Sequence, residues 1–102
     1  MTNQLLRGLT PVHPGAVLRE DVLPALGISK TAVAAALRIS RETLYKILKE
    51  QAPVTPSMAL RLGKAFGNSA EFWLNLQQAY DVATLTKTEA KVLNEVRTLE
   101  PA

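Results

Sequence analysis

Five polar side chains between residues 41 and 49 have types and a spacing that suit recognition of another molecule. A leading arginine is followed by residues at i, i+3, i+4 and i+7, and the set is Arg41, Glu42, Tyr45, Lys46 and Lys49. This spacing puts them on one face of a helix. Arginine or lysine can donate to guanine O6 and N7, glutamate can accept from cytosine N4, and a good bidentate contact gives roughly 1 to 3 kcal/mol of discrimination. The face therefore has the chemistry to read base edges in a DNA major groove.

The residues around this face predict two short helices joined by a three-residue turn. Ser29 is a suitable cap for an Ala-rich helix from Lys30 to Leu37, and Ser40 for a second helix from Arg41 to Glu50. The second helix has an apolar stripe opposite its polar face, formed by Leu44, Ile47 and Leu48. This arrangement is typical of a helix-turn-helix, whose second helix enters the major groove.

The interpretation of each polar residue has an alternative. Arg41, Glu42, Tyr45 and Lys46 are the predicted base contacts, against the alternative of a solvated helix face. Glu42 either reads cytosine or pairs with Lys46 at i+4. Helix starts offer unpaired N–H groups to phosphate oxygens. The predicted phosphate contacts are Lys30, Arg38, Ser40, Lys49, Thr55 and Ser57.

Charge is concentrated in the same region. Residues 30–64 carry seven basic and two acidic residues, a net charge of +5, whereas the rest of the chain carries five basic and seven acidic residues, a net charge of −2. A localised basic region favours a nucleic acid partner, although a basic solvated surface is the alternative.

Catalytic chemistry is not predicted. The chain has no cysteine and one histidine, His13, which precedes Pro14-Gly15 and suits a capping or turn role. Glu20 and Asp21 are adjacent on a predicted helix and so do not face each other. We therefore expect no enzyme activity, no metal and no cofactor.

Apolar residues at helical spacing predict an all-α chain of five or six short helices. A first helix begins at Pro14, is ended or kinked near Leu23 by Pro24, and is followed by a break at Gly27. A fourth begins after Thr55 and ends before Gly67, a fifth is capped by Asn68 or Ser69, and a sixth starts at a capping-box pattern of Thr86 and Glu89. The predicted inward positions are Leu18, Val22, Ala25, Leu26, Ala59, Leu62, Phe66, Phe72, Trp73, Leu76 and Tyr80.

The chain is predicted to divide into an arm (1–13), a helix-turn-helix domain (14–85) and a C-terminal helix (86–102). The longest apolar run, Ala32 to Leu37, is far too short to span a membrane, and the first 15 residues have no apolar segment of a secretory signal. We expect a cytoplasmic protein.

Three blocks of the chain resemble the HigA/VapI type of bacterial antitoxin, within the repressor-like helix-turn-helix family. The blocks are His13-Pro14-Gly15 with Leu18-Arg19-Glu20, Thr55-Pro56 with Ala59-Leu60-Arg61-Leu62, and Glu71-Phe72-Trp73-Leu74 with Gln77 and Tyr80-Asp81. The resemblance covers residues 13–81. It implies a lambda-repressor-like fold and a dimeric autorepressor of a type II toxin-antitoxin system, which binds operator DNA at the bacterial nucleoid and silences a cognate ribonuclease toxin.

Two departures from the family pattern affect the DNA-facing region. Arg38 stands in a turn where glycine is usual, so the turn is expected to be strained by around 1 kcal/mol or built differently. The segment from Lys49 to Pro53 replaces an Asn-Gly-Lys-like turn. These departures keep open a toxin-binding module without specific DNA binding, and a stand-alone repressor without a toxin is a further alternative.

The C-terminal apolar stripe has no partner in the rest of the predicted core. It consists of Val92, Leu93, Val96 and Leu99. It either packs on its own chain, pairs with a second copy or binds the toxin. Dimerisation is favoured, because helix-turn-helix proteins commonly read two half-sites with a two-fold dimer. The N-terminal arm is the other candidate for toxin contact.

Overall fold

Hydroxyl caps begin four of the helices. The computed structural model describes residues 11–101, which form helices and connecting turns without a strand. α1 consists of three consecutive segments, Pro14–Val17, a π-helical turn Leu18–Val22 and Leu23–Leu26, and the later helices are α2 (Lys30–Leu37), α3 (Arg41–Leu48), α4 (Pro56–Phe66), α5 (Ala70–Thr88) and α6 (Ala90–Glu95). The side chains of Ser29, Ser40, Thr55 and Ser69 each accept a hydrogen bond from the backbone N–H three residues later. The all-α prediction and the starts of α1 to α5 are confirmed.

The first helix passes through Pro24 instead of ending before it. Pro24 has no N–H to donate to the carbonyl four residues earlier. A π-helical turn lies immediately before it, in which the Leu23 N–H donates to the Leu18 carbonyl, five residues back. Such a local widening accommodates an interrupted hydrogen-bond ladder. Of the two predicted alternatives, an end near Leu23 is wrong because the helix continues to Leu26, while the regular α-helix is interrupted at this point by the π-helical turn. The break at Gly27, where φ is 67°, is confirmed.

The core lies between α1, α2, α3 and α4 and is closed by Trp73 of α5. Trp73 is fully buried, and its indole Nε1 donates to Asn68 Oδ1 at 2.7 Å. Thirteen apolar residues are buried in this core, namely Leu18, Leu23, Val33, Ala34, Leu37, Leu44, Ile47, Leu48, Val54, Met58, Ala59, Leu62 and Trp73.

Three predicted inward positions are exposed: Ala25, Leu26 and Phe72. In α1 the π-helical turn breaks the 3.6-residue period, and Leu23 occupies the core instead of Leu26. In α5 the inward positions are Trp73 and Gln77, and Phe72 packs edge-on against the Trp73 ring with centroids 5.1 Å apart. Val22, Phe66, Leu76 and Tyr80 are half-buried, and the other predicted inward residues are buried.

A buried glutamine ties α5 to the segment before α4. Gln77 Oε1 accepts from the Val54 N–H at 2.7 Å, and its Nε2 donates to Asp81 Oδ1 at 2.9 Å. Both halves of the side-chain amide are thus satisfied, which removes most of the cost of burying it. Apolar periodicity does not reveal this role, because it ignores polar residues.

The C-terminal region departs from the prediction in its helix boundaries. α5 continues through Thr86, whose hydroxyl donates to the Val82 carbonyl at 2.6 Å, so the predicted capping box does not form. α6 follows Glu89 without a side-chain cap and ends at Glu95. Val96 caps it in an extended conformation, and Leu99 lies beyond the helix. Residues 84–101 are all exposed, so this stripe does not pack back on the described chain.

Most of the predicted arm, residues 1–10, lies outside the described residues. Within residues 11–101, none of the helices combines the length and apolarity that crossing a membrane requires.

Candidate nucleic-acid interface

The α2–α3 unit forms the predicted helix-turn-helix. Arg38 occupies the left-handed region, with φ 62° and ψ 43°, as the glycine usual at this position would. Its N–H donates to the Ala35 carbonyl at 3.1 Å, and the Ile39 N–H donates to the Ala34 carbonyl at 3.0 Å. This is the Schellman closure, which satisfies carbonyls at a helix end. Arg38 therefore retains the turn, at a conformational cost of roughly 1 kcal/mol.

Apolar burial fixes the direction that α3 presents to solvent. Leu44, Ile47 and Leu48 are buried against the rest of the core, as predicted. Ala34 of α2 is also buried, and its small side chain permits a close approach of the two helices. The remaining side of α3 is consequently exposed.

The exposed side of α3 carries the predicted recognition residues together. Arg41, Glu42, Tyr45, Lys46 and Lys49 are all exposed. They line one shallow depression together with Gln51. Gln51 was not predicted. It reaches this surface because the chain turns back after α3, where the Gln51 N–H donates to the Lys46 carbonyl at 2.8 Å.

The side chains of this face make one cation–π contact and no ion pair with one another. Lys30 Nζ, from the start of α2, lies 5.7 Å from the centroid of the Tyr45 ring, a cation–π distance that brings a further positive charge to the α3 face. Within residues 11–101, the ion pairs are those of Arg19 with Glu20 and with Glu50. Glu42 and Lys46 therefore do not form the alternative i, i+4 pair.

The six predicted phosphate contacts do not share one surface. Ser40 and Thr55 are exposed caps: Ser40 Oγ accepts from the Thr43 N–H at 3.0 Å, and Thr55 Oγ1 from the Met58 N–H at 3.2 Å. Ser57 is exposed in the first turn of α4, and Lys49 lines the α3 depression. Arg38 instead lines a separate depression between α2 and α4, which also contains Leu60, Arg61 and Lys64.

The end of α3 is a second left-handed turn without glycine. Glu50 has φ 63°, and its N–H donates to the Ile47 carbonyl at 2.9 Å. Arg19 of α1 reaches this turn, where its Nη1 donates to the Leu48 carbonyl at 2.6 Å and to Glu50 Oε2 at 3.2 Å. Its Nη2 donates to Glu20 Oε2 at 2.7 Å. The hydrogen bonds to Glu20 and then Glu50 raise the pKa of Arg19.

The His13-Pro14-Gly15 motif seats α1 against the recognition helix. His13 Nδ1 accepts from the Gly15 N–H at 2.9 Å, which confirms the capping role predicted for this histidine. A Cβ on Gly15 would collide with the Ile47 carbonyl of α3, so only glycine permits this approach. The His13 ring also packs edge-on against Tyr80, with centroids 4.9 Å apart.

Burial lowers the pKa of His13. Desolvation is the main cause, and nearby Arg19 acts in the same direction. The carboxylates of Glu50 and Asp81 and a hydrogen bond with the Ala52 backbone oppose it. The neutral ring is thus favoured, in keeping with its use of Nδ1 as an acceptor. Within the described chain, no three His, Asp or Glu side chains group closely enough to hold a metal ion.

Comparison with known protein families identifies the same unit. The profile of the family described as Helix-turn-helix matches residues 18–73, more than half of the chain. This match contains all of α2, α3 and α4.

Relatives with assigned names share most of this chain. It is 45% identical over 71 residues to virulence-associated protein I of Dichelobacter nodosus, covering 70% of this chain and 66% of that protein. It is 33% identical over 91 residues to antitoxin HigA-1 of Vibrio cholerae, covering 89% of this chain and 83% of that protein. The chain thus spans about two thirds of the Dichelobacter relative and a larger share of the Vibrio one.

Solved structures extend the similarity over nearly the whole chain. The antitoxin HigA of Pseudomonas aeruginosa, solved with the higBA promoter, aligns with a TM-score of 0.82 and 41% identity over 88% of this chain and 99% of that one. The antitoxin GraA in complex with its operator aligns with a TM-score of 0.82 and 38% identity over 89% of this chain and 93% of that one. This chain belongs to the helix-turn-helix family and, within it, to the group of HigA- and VapI-type antitoxins.

Proposed function

We propose that this protein is the antitoxin of a type II toxin-antitoxin system and represses its own operon by binding operator DNA through α3. The single observation that carries the DNA-binding part is the α3 face. The four predicted base contacts and the predicted phosphate contact Lys49 are exposed together on a helix whose opposite side is buried. The promoter and operator complexes of HigA and GraA support the assignment.

The chemistry of the face divides into reading and anchoring. Arg41, Glu42, Tyr45 and Lys46 contact base edges, with Arg41 and Lys46 as donors to guanine and Glu42 as an acceptor from cytosine. Anchoring falls to the residues at helix starts and at the rim of the face, which are Lys30, Ser40, Lys49, Thr55 and Ser57. The Thr55 hydroxyl oxygen already accepts as a cap, so its contribution to phosphate binding is as a donor. The Ser40 hydroxyl accepts from the Thr43 N–H and donates to Thr43 Oγ1 at 2.9 Å, so it would exchange this second bond for one to a phosphate oxygen.

Arg38 is the least suited of the proposed phosphate contacts. It lines the depression with Arg61 and Lys64, whereas the recognition residues line another. We retain it as a contact to backbone phosphate at the edge of the interface, where any arginine within reach of the DNA contributes charge without reading sequence.

The C-terminal segment provides the surface for assembly. We divide the chain into an arm (1–13), the helix-turn-helix domain (14–85) and an assembly segment (86–102). Val92, Leu93, Val96 and Leu99 are between 48% and 92% exposed. Covering them with a second copy of the chain would produce the homodimer that two operator half-sites require.

Neutralisation of a cognate ribonuclease toxin completes the function, and it is supported by the antitoxin names of the relatives. The residues that hold the toxin belong to the assembly segment or to the N-terminal arm. Operator binding would place the protein on the bacterial nucleoid.

A DNA titration tests the repressor assignment. The purified protein is titrated by anisotropy against a labelled duplex from upstream of its own gene and against a scrambled duplex, at two salt concentrations. Arg41→Ala and Lys46→Ala are compared with Lys64→Ala, an exposed lysine on α4, outside the α3 depression and the assembly segment, that loses the same charge. We expect at least tenfold preference for the native duplex, lost in the two α3 variants and kept in Lys64→Ala.

The outcomes separate the candidate functions. Log affinity should fall by about 0.9 per log unit of salt for each phosphate contacted. Equal, weak binding to both duplexes would overturn the repressor assignment and leave a toxin-binding module. Specific DNA binding, with no ribonuclease encoded beside the gene that the protein can inhibit, would leave a stand-alone repressor.

A further inference from the structure

The two helices of the helix-turn-helix end in the same way. Leu37 is the last residue of α2 and Leu48 the last of α3. Carbonyls in the last turn of a helix have no intrahelical donor and need another partner. The Schellman closure at the end of α2 uses the Ala34 and Ala35 carbonyls, and the same pair of bonds at the end of α3, from the Gln51 and Glu50 N–H groups, uses the Lys46 and Ile47 carbonyls. Neither closure supplies a donor to the Leu37 or the Leu48 carbonyl.

In both cases the partner is an arginine from a helix outside the unit. Arg61 of α4 donates from Nη1 to the Leu37 and Arg38 carbonyls, each at 3.2 Å. Arg19 of α1 donates to the Leu48 carbonyl at 2.6 Å. One arginine therefore holds the turn before the recognition helix, and the other holds the turn after it.

These arginines bind the two turns in which a non-glycine residue has a left-handed backbone conformation. The held turns contain Arg38 and Glu50, the non-glycine residues with positive φ within residues 11–101. A left-handed conformation costs a non-glycine residue roughly 1 to 2 kcal/mol, so each turn needs surrounding contacts to keep it. A bond from a charged donor to a carbonyl is stronger than a neutral bond and suits this purpose.

We propose that Arg19 and Arg61 are positioning residues for DNA recognition, which fix the two ends of α3 relative to α1 and α4. This inference rests on the proposed function and names residues that need not touch a base. Base readout depends on geometry, because bidentate pairing demands that side chain and base edge meet in plane. Attraction to phosphate is less demanding, since it follows charge. Loosening α3 should therefore reduce discrimination more than total affinity.

The experiment compares Arg19→Met and Arg61→Met with Lys64→Met in the intact protein. Methionine keeps a long unbranched side chain and removes every donor. Lys64 is exposed on α4, in the same depression as Arg61 and outside the assembly segment, so its variant loses the same charge without losing a hydrogen bond to either held turn. Each protein is titrated against the native and the scrambled duplex at two salt concentrations. We expect the ratio of the two affinities to fall at least tenfold for Arg19→Met and Arg61→Met, and less than twofold for Lys64→Met.

Two further measurements separate positioning from other roles. In Arg19→Met the Glu50 and Gln51 amides, and in Arg61→Met the Arg38 and Ile39 amides, should exchange hydrogen faster without DNA present, because these amides close the held turns. Arg19→Lys and Arg61→Lys keep the charge and one donor, and should recover part of the discrimination. They also serve if a methionine variant does not fold.

The inference is overturned if the affinity ratio stays within twofold of the wild-type value in all four variants. It is also overturned if both duplexes weaken equally and the salt slope becomes shallower by about 0.9, since that identifies a direct phosphate contact. A wild-type protein without operator preference would instead overturn the proposed function, and the inference with it. The wild-type titration thus distinguishes the two failures.

Discussion

The helix-turn-helix domain (14–85) and the assembly segment (86–102) differ in whether their apolar side chains are buried. Every buried residue within residues 11–101 lies between His13 and Gln77. In the assembly segment the large apolar side chains of Val92, Leu93, Val96 and Leu99 are between 48% and 92% exposed. The first region buries a core within its own chain and leaves a few large apolar side chains exposed, such as Leu60 and Phe72, whereas the second buries none of the residues that the structure describes.

This difference separates recognition from assembly. Single exposed apolar residues are normal on proteins, but a contiguous series marks an interaction surface. The DNA-facing side of α3 needs a rigid support and has one in the core. The C-terminal segment has no such support and, in the proposed dimer, gains its order from the second copy.

Truncating one buried and one exposed apolar side chain tests this difference in burial, and it gives the largest expected effect. Trp73→Ala should lower the free energy of unfolding by about 3 to 5 kcal/mol, because a fully buried aromatic side chain is removed. Leu93→Ala, at a position 48% exposed, should change that of the monomer by less than about 0.5 kcal/mol. Urea unfolding at low protein concentration measures both. Similar losses in the two variants would contradict the difference in burial between the two regions.

The seat of α1 on α3 gives the next largest effect. Gly15→Ala places a Cβ against the Ile47 carbonyl, and backbone cannot yield as a side chain can. We expect a loss of about 1 to 3 kcal/mol or more, as for other overpacked sites. Gly27→Ala is the control, because a Cβ there meets open space and only the positive φ is penalised. Urea unfolding should rank Gly15→Ala as the more destabilised variant, and the reverse order would show that the two helices need no close approach.

The C-terminal surface is tested by charge. Val92→Asp and Val96→Asp should raise the dimer dissociation constant at least tenfold, which corresponds to about 1.4 kcal/mol, because each buries a carboxylate against apolar side chains. Sedimentation measures association, and thermal unfolding at low concentration should remain near wild type. Unchanged association would move the dimer contact elsewhere and leave this surface for the toxin.

The sequence predicts the parts of the fold whose signals are local. Capping residues such as Ser29, Ser40 and Thr55 place the helix starts correctly, because each cap directly precedes its helix and binds an N–H only three residues later. The exposed face of α3 is predicted for the same reason, since one helix carries both its apolar and its polar stripe. Which of these residues contact bases and which contact phosphates stays a prediction.

The parts that sequence reasoning missed depend on longer-range or competing interactions. At Pro24 and at Thr86 the residue type predicts a helix boundary, but the helix continues. Before Pro24 it does so through a π-helical turn, and at Thr86 the hydroxyl donates to the Val82 carbonyl instead of capping a new helix. The bonds of Arg19 and Arg61 to carbonyls 29 and 24 residues away have no periodic signature at all. Gln51 reaches the α3 face only through the turn at Glu50.

A smaller effect distinguishes the two turns that flank α3. Arg38→Gly should stabilise the protein by up to about 1 kcal/mol, because glycine adopts the left-handed conformation without strain. The greater conformational entropy of glycine in the unfolded chain offsets part of this stabilisation. The Arg38 carbonyl that Arg61 binds is retained in this variant. Glu50→Gly should gain less, since it also removes the carboxylate that accepts from Arg19. Equal gains in urea unfolding would show that the Arg19–Glu50 contact contributes nothing measurable to stability.

The smallest effect concerns His13, which joins the start of α1 to α5. Its pKa is lower in the folded protein than its ordinary value of about 6.5, chiefly because it is desolvated, so the unfolded chain binds the proton more readily. The neutral ring's contribution to stability is then fully present above about pH 6.5 and declines as the pH falls through that value, with stability rising with pH in the window. Urea unfolding of the wild-type protein and of His13→Asn, which keeps a capping side chain, should be compared between pH 5.5 and 7.5. The wild-type protein should lose stability relative to the variant on acidification. If the wild-type protein instead gains stability relative to the variant on acidification, the attraction of Glu50 and Asp81 outweighs desolvation and the folded protein favours the charged ring.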